Sequence, residues 1–184
     1  MTTLETYQRG LLDLVKNRGA APTDPYLAKV ASSHGIVVVR EIAVWWRSFQ
    51  IGSQCPLVSR VLKHYGCFDE TISDYFASNH TSPFVEELTD HFLTFLAGCD
   101  GLDSFLRSVA AFERALLRAR AGSKERSEIY FDRNPDLAFE ALGKGDTMPA
   151  ADAEFRYFMI VAWDLPQMFR CIRKRIADFP TTCC

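Results

Sequence analysis

Residues Val38 to Phe84, VVREIAVWWRSFQIGSQCPLVSRVLKHYGCFDETISDYFASNHTSPF, concentrate aromatic side chains and helix-start signals, and their periodicity decides the fold class. Val38, Ile42, Trp45 and Phe49 recur at offsets of three and four, which places them on one side of an α-helix. Val39 and Trp46 widen that side. A stripe of this width predicts the core of a helical domain. Neighbouring residues lie about 100° apart around a helix, so Trp45 and Trp46 do not share one narrow seam. One of the two indoles is expected to cap the core or to meet a partner.

The same periodicity extends in both directions. Leu4, Tyr7, Leu11, Leu12, Leu14 and Val15 predict a first helix that Asn17-Arg18-Gly19 ends. Thr23-Asp24-Pro25 is a cap followed by proline in the first turn. The tryptophan-bearing helix follows His34-Gly35 and closes at Gly52. Cys55-Pro56 restarts a helix on Leu57, Val58, Val61, Leu62 and Tyr65, which Gly66 stops. Asp69 is the expected cap of the next helix, with Ile72, Tyr75 and Phe76 inside. Ser82-Pro83 starts another, which buries Phe84, Leu88, Phe92, Phe95 and Leu96. Asp100 is expected to open the last long helix, on Leu102, Phe105, Leu106, Val109, Phe112, Leu116 and Leu117. Glu113 interrupts that stripe and predicts a core-edge carboxylate paired with a cation such as Arg60 or Arg114. Local spacing puts no second carboxylate beside it, so a catalytic acid is the weaker reading.

At Gly122 the period changes. Ser127–Asp132 reads as a strand, Asn134-Pro135 caps a short helix with Leu137, Phe139 and Leu142, and Phe155–Trp163 is a strand of strong β character. Leu165-Pro166-Gln167 turns the chain into a last strand, Met168 to Ile176. The fold class predicted is α+β, mostly α: a helical domain over 1–121, then a small β-α-β-β region over 122–184. Phe155, Tyr157, Met159, Val161 and Trp163 point one way along the middle strand, and Phe158, Ile160 and Ala162 the other. Both faces are apolar, so one is expected to pack on the helices and the other to be covered by a partner. The last strand carries Arg170, Arg173, Lys174 and Arg175, with Arg156 on its neighbour. A basic strand beside an apolar one can accept an acidic, extended peptide by strand addition; basic residues on an edge strand also guard against aggregation. Tyr157, Met159, Val161, Arg173 and Arg175 form the candidate peptide-binding set.

With 184 residues, 48% of them hydrophobic and 24% charged, the composition is that of a globular domain, and the net charge of -2 argues against a dedicated DNA-binding surface. No apolar run is long enough to span a membrane, and Met1 to Lys16 lacks a signal-peptide core, which predicts a cytoplasmic location with no membrane contact. Six cysteines occur without any CxxC, and four histidines without HxH or i,i+4 grouping. Cys55, Cys67, Cys99 and Cys171 read as small buried or half-buried thiols, and Cys183 and Cys184 as an exposed, oxidisable tail. No catalytic residue and no metal ligand set is assigned.

The ordered segments WWRSFQ, CPLVSRVL, GCFDETISDYF, SPFVEELTDHFLTFL, LRSVAAFERALLR, NPDLAFEAL, GDTMP and FRYFMIVAWDLPQMF resemble a family often labelled as DNA-binding. More specifically, they are similar to the small partner proteins of multi-iron TIM-barrel oxygenases that mature ribosomally made peptide natural products. The thiaglutamate-pathway type stands nearest, with methanobactin and bufferin-type partners further away. The resemblance covers about Val38 to Arg175 and rests on the order of the segments. It implies a non-catalytic accessory subunit of a heteromeric enzyme, a heterodimer with the barrel protein, which recognises the leader of a precursor peptide. It also implies that iron and cysteine oxidation belong to the partner, with no cofactor on this chain. The alternatives are a DNA-binding transcriptional regulator and a stand-alone enzyme using Glu113 with a histidine.

Overall fold

The computed structural model describes residues 4–16, 21–79 and 84–176. Among these, eight helices precede or flank a three-stranded antiparallel sheet, which makes the fold α+β and mostly α. The helices are α1 (Leu4–Val15), α2 (Pro25–Ala31), α3 (His34–Gln54), α4 (Pro56–His64), α5 (Phe68–Ser78), α6 (Val85–Gly98) and α7 (Ser104–Arg120). Strand β1 (Ser127–Phe131), helix α8 (Pro135–Lys144), β2 (Phe155–Val161) and β3 (Phe169–Arg175) complete the chain as the expected β-α-β-β unit.

Several helix ends follow directly from their sequence. The Asp24 carboxylate accepts from the N–H groups of Tyr26 and Leu27 and caps α2, with Pro25 in the first turn. Asn134 does the same for α8. Gly66 ends α4 at φ 70°, and the following Cys67 N–H donates to the Leu62 carbonyl, which closes the last turn with a left-handed residue. Two expected caps move. Asp103, not Asp100, caps α7 through Phe105 and Leu106, while Asp100 bonds Arg107 from the preceding turn. Asp69 lies in the first turn of α5, where its charge suits the helix dipole, and the cap position is Cys67. The expected helix end at Asn17-Arg18-Gly19, the Ser82-Pro83 cap and the Cys183-Cys184 tail lie outside the described residues.

The main core runs from Ile51 in α3 through α4, α5, α6 and α7 into Ile129, Phe131, Tyr157, Met159 and Val161 of the sheet. It crosses Gly122 without interruption, because Phe105 and Phe112 of α7 meet Phe131 edge to face, and Phe139 of α8 is tilted against Phe105 and stacked on Phe112. The chain's change from helical to strand period is therefore not a division of its core. A second, small cluster of Leu14, Leu27 and Ile36 ties α1 and α2 to the start of α3.

Candidate functional site

The sheet has the order β1-β2-β3, so β2 is central and β3 is an edge. Ala162 N–H donates to Met168 O and Ile176 N–H to Glu154 O, and the register pairs Ile160 with Arg170 and Phe158 with Ile172. Hydrogen-bonded pairs alternate along an antiparallel ladder. Arg170, Ile172 and Lys174 therefore bond to β2, and the backbone N–H and C=O groups of Phe169, Cys171, Arg173 and Arg175 point away from it, along an edge that pairs with no other strand among the described residues.

Side chains on β3 split by parity. Phe169 and Cys171 lean on the core, Phe169 against Phe112. Arg173 and Arg175 share that face beyond the core's margin, where both guanidinium groups stack on Phe155, at 3.4 and 5.7 Å from its centroid. Glu154 also holds Arg175, at 3.5 Å. On the opposite face, Lys174 stands over Phe158 and Arg156 over Tyr130, and Tyr130 and Phe158 touch across the strands. Both faces of the edge are thus basic, with aromatic rings fixing the cations.

This geometry divides the candidate set drawn from the sequence. Arg173 and Arg175 are exposed at the edge. Tyr157, Met159 and Val161 are 3%, 1% and 1% exposed, respectively, and belong to the core against α7, so they cannot form side-chain pockets for a peptide. Their alternation was the pattern of an inward face, and strand periodicity does not say which face is covered. The sequence names Arg170 and Lys174 as basic residues of the last strand and Phe155 as a residue of the middle one, but leaves all three out of the candidate set; the register between β2 and β3 shows Phe155 to be the stacking ring and Arg170 and Lys174 to be the basic pair of the other face.

Helix α3 turns its apolar stripe away from the core. Val38, Ile42, Trp45 and Phe49, expected in the core, face outward, and Ile42, Trp45 and Phe49 are 59%, 63% and 55% exposed. Val39 and Trp46 are exposed as well. The side turned inward carries Ile36 and Ile51 at its ends. Between them, the Arg40 Nε–H donates to the Leu14 carbonyl and Arg47 stacks over Phe76. Trp45, Trp46 and Phe49 lie against one another at 5.8 to 6.3 Å between centroids. The C-terminal half of the stripe borders a groove of about 620 Å³, closed on its far side by Lys63, Phe68 and Asp69.

Glu113 is buried as expected, with a different partner. Its two carboxylate oxygens accept from the N–H groups of Leu57 and Val58, the unpaired donors of the first turn of α4. Arg114 instead chelates Asp90 together with Arg118. Burial pushes the Glu113 pKa up to about 7, against the opposing pull of the two backbone bonds. Cys55 is buried beside it, and burial raises that thiol as well. Cys67, Cys99 and Cys171 are half-buried free thiols. Among the described residues no three His, Cys, Asp or Glu side chains converge as a metal would require, and no helix is long and apolar enough to cross a membrane. No protein-family model, curated protein or solved structure matches the chain.

Proposed function

We propose that this chain is a non-catalytic partner subunit that binds an iron-dependent TIM-barrel oxygenase and presents a ribosomally made precursor peptide for oxidation of a cysteine. The observation that carries the peptide half of this reading is the free β3 edge. Four backbone positions whose donors and acceptors meet no partner among the described residues lie between basic side chains on both faces. An extended acidic segment added there gains main-chain hydrogen bonds at every second residue, and charge complementarity whichever face its carboxylates take. Arg173 and Arg175 serve one face, Arg170 and Lys174 the other. The sequence resemblance supplies the enzyme half, with the chemistry on the other chain and the location cytoplasmic.

The test is co-expression of the tagged chain with an iron barrel oxygenase and its short precursor peptide. The expected result is a retained complex and peptide oxidation that depends on this chain. No complex together with no effect on oxidation sinks the reading. Binding to duplex DNA with a steep loss of affinity on adding salt would instead support the regulator alternative.

A further inference from the structure

We infer that the outward face of α3 is a homodimer interface, in which two copies of this chain pair their α3 helices antiparallel about a two-fold axis. Gly35, Val38, Ile42, Trp45, Phe49 and Gly52 follow one another at steps of three, four, three, four and three, which is the seam of a coiled-coil helix. Here the seam points to solvent: Gly35, Val38, Ile42, Trp45 and Phe49 are exposed and Gly52 is half-buried at the groove. A helix turned toward its own core needs no such regular second seam.

The occupant follows from the order of side-chain sizes. When two identical helices cross antiparallel with the axis between residues 43 and 44, Gly35 faces Gly52, Val38 faces Phe49, and Ile42 faces Trp45. Each large side chain meets a smaller one, and Gly35 adds no side chain opposite Gly52, which Phe68 of the same copy flanks at the groove. The parallel alternative sets Trp45 on Trp45 and Phe49 on Phe49, and leaves Gly35 against Gly35 with nothing to fill the gap. Self-complementarity under a two-fold axis is what an isologous interface requires. The groove beside Trp45, Phe49 and Gly52 then receives Val38 of the second copy.

Charge and area agree with a second copy as the occupant. Arg40 and Arg47, the basic residues of the central part of α3, are both engaged inward, with the Leu14 carbonyl and the Phe76 ring. The seam itself is uncharged, and the one like-charge pair that the register sets opposite each other, Arg40 and Arg47, is turned inward on both copies. The seam's rim is mixed, with Lys63 beside Asp69 at the groove and Glu41 exposed on α3, rather than the basic rim that an anionic membrane surface would select. Val38, Ile42, Trp45, Trp46 and Phe49 expose roughly 600 Å² per copy, so a pair that covers them completely buries at most roughly 1,200 Å², the lower edge of the range for specific interfaces. This surface shares no residue with the β3 edge, so the inference stands independently of the peptide reading.

The experiment is sedimentation equilibrium of the purified full chain, without oxygenase or peptide, under reducing conditions so that the six cysteines take no part. The expected result is a concentration-dependent species of twice 20.8 kDa. Ile42→Lys and Trp45→Glu should each give a monomer with unaltered helical circular dichroism, since both side chains are exposed in the single chain. Mixed in equal amounts, the two variants should associate again, because the antiparallel register sets the new lysine against the new glutamate. A wild-type chain that stays monomeric at high micromolar concentration overturns the inference, including the case where Trp45 proves to contact an oxygenase or a vesicle instead. A dimer that survives Trp45→Glu overturns it as well. Failure of the mixed variants to associate overturns the antiparallel register.

Discussion

Glu113 carries the clearest residue-scale consequence. Its carboxyl rests on the N-terminus of α4, yet burial raises its pKa from an ordinary 4.5 to about 7. A carboxyl whose folded pKa lies above its unfolded value favours folding while protonated. Its contribution is complete below about pH 4.5 and is lost as pH rises through 7. The shift corresponds to about 3 kcal/mol at most. Asp90, held low by its bonds to Arg114 and Arg118, acts with the opposite sign and at more acid pH. Urea unfolding at pH 5 and pH 8 isolates the effect: wild type should lose stability across that interval relative to Glu113→Gln, whose neutral amide stands in for the protonated acid. Equal pH slopes for the two proteins would remove Glu113 as the cause. Periodicity alone places this carboxylate inside the helix stripe. Its partner lies 56 residues earlier in the chain, at a helix end that local spacing does not reach.

At the scale of elements, α3 and β3 show what a pattern conveys and what it leaves open. The apolar stripe of α3 was legible as a helix face, but periodicity reports that a face is apolar, not whose surface covers it. Solvent and this chain's own core are distinguished only by where α4 to α6 pack, which is a long-range fact. The distinction has a measurable form. Below the concentration at which the chain associates, Trp45→Ser should change stability by less than about 0.5 kcal/mol, whereas Ile51→Ala, at the buried end of the same helix, should cost about 3 kcal/mol. Comparable losses would mean that the stripe is packed within the single chain. For β3, the strand and its basic character were legible, while parity had to come from the register. The outward N–H of Arg173 makes a clean variant possible. Arg173→Pro removes an edge donor without breaking a ladder bond to β2. It should weaken peptide binding by about tenfold beyond Arg173→Ala, the value of roughly one further hydrogen bond. Equal affinities, measured by titration calorimetry with the precursor peptide, would argue against strand addition.

In the molecule as a whole, the change of period at Gly122 predicts a helical domain over 1–121 and a small region over 122–184, and one core cluster runs through both. Phe105, Val109 and Phe112 are covered on one side by the sheet and α8, so the helices up to Arg120 do not own a closed core. Polar contacts run across the same junction: Ser104 donates to Asp132 at 2.6 Å, and Arg133 binds Asp132 while its guanidinium lies over the Phe105 ring. Asp132 is held low by Arg133 and Ser104 even though burial opposes it. A core shared in this way is expected to unfold as one unit, because losing the sheet exposes the apolar flank of α7 at the same moment. Phe131→Ala, which empties a fully buried aromatic site at the centre of the junction, should therefore cost about 3–5 kcal/mol and lower the helical and the sheet transitions together. Circular dichroism at 222 nm follows the helices, and hydrogen exchange at β2 follows the sheet. Coincident midpoints in wild type and variant are expected. A sheet that melts first while the helices keep the wild-type midpoint would show that 1–121 is, after all, an independent folding unit, and that the aromatic contacts across Gly122 only dock it.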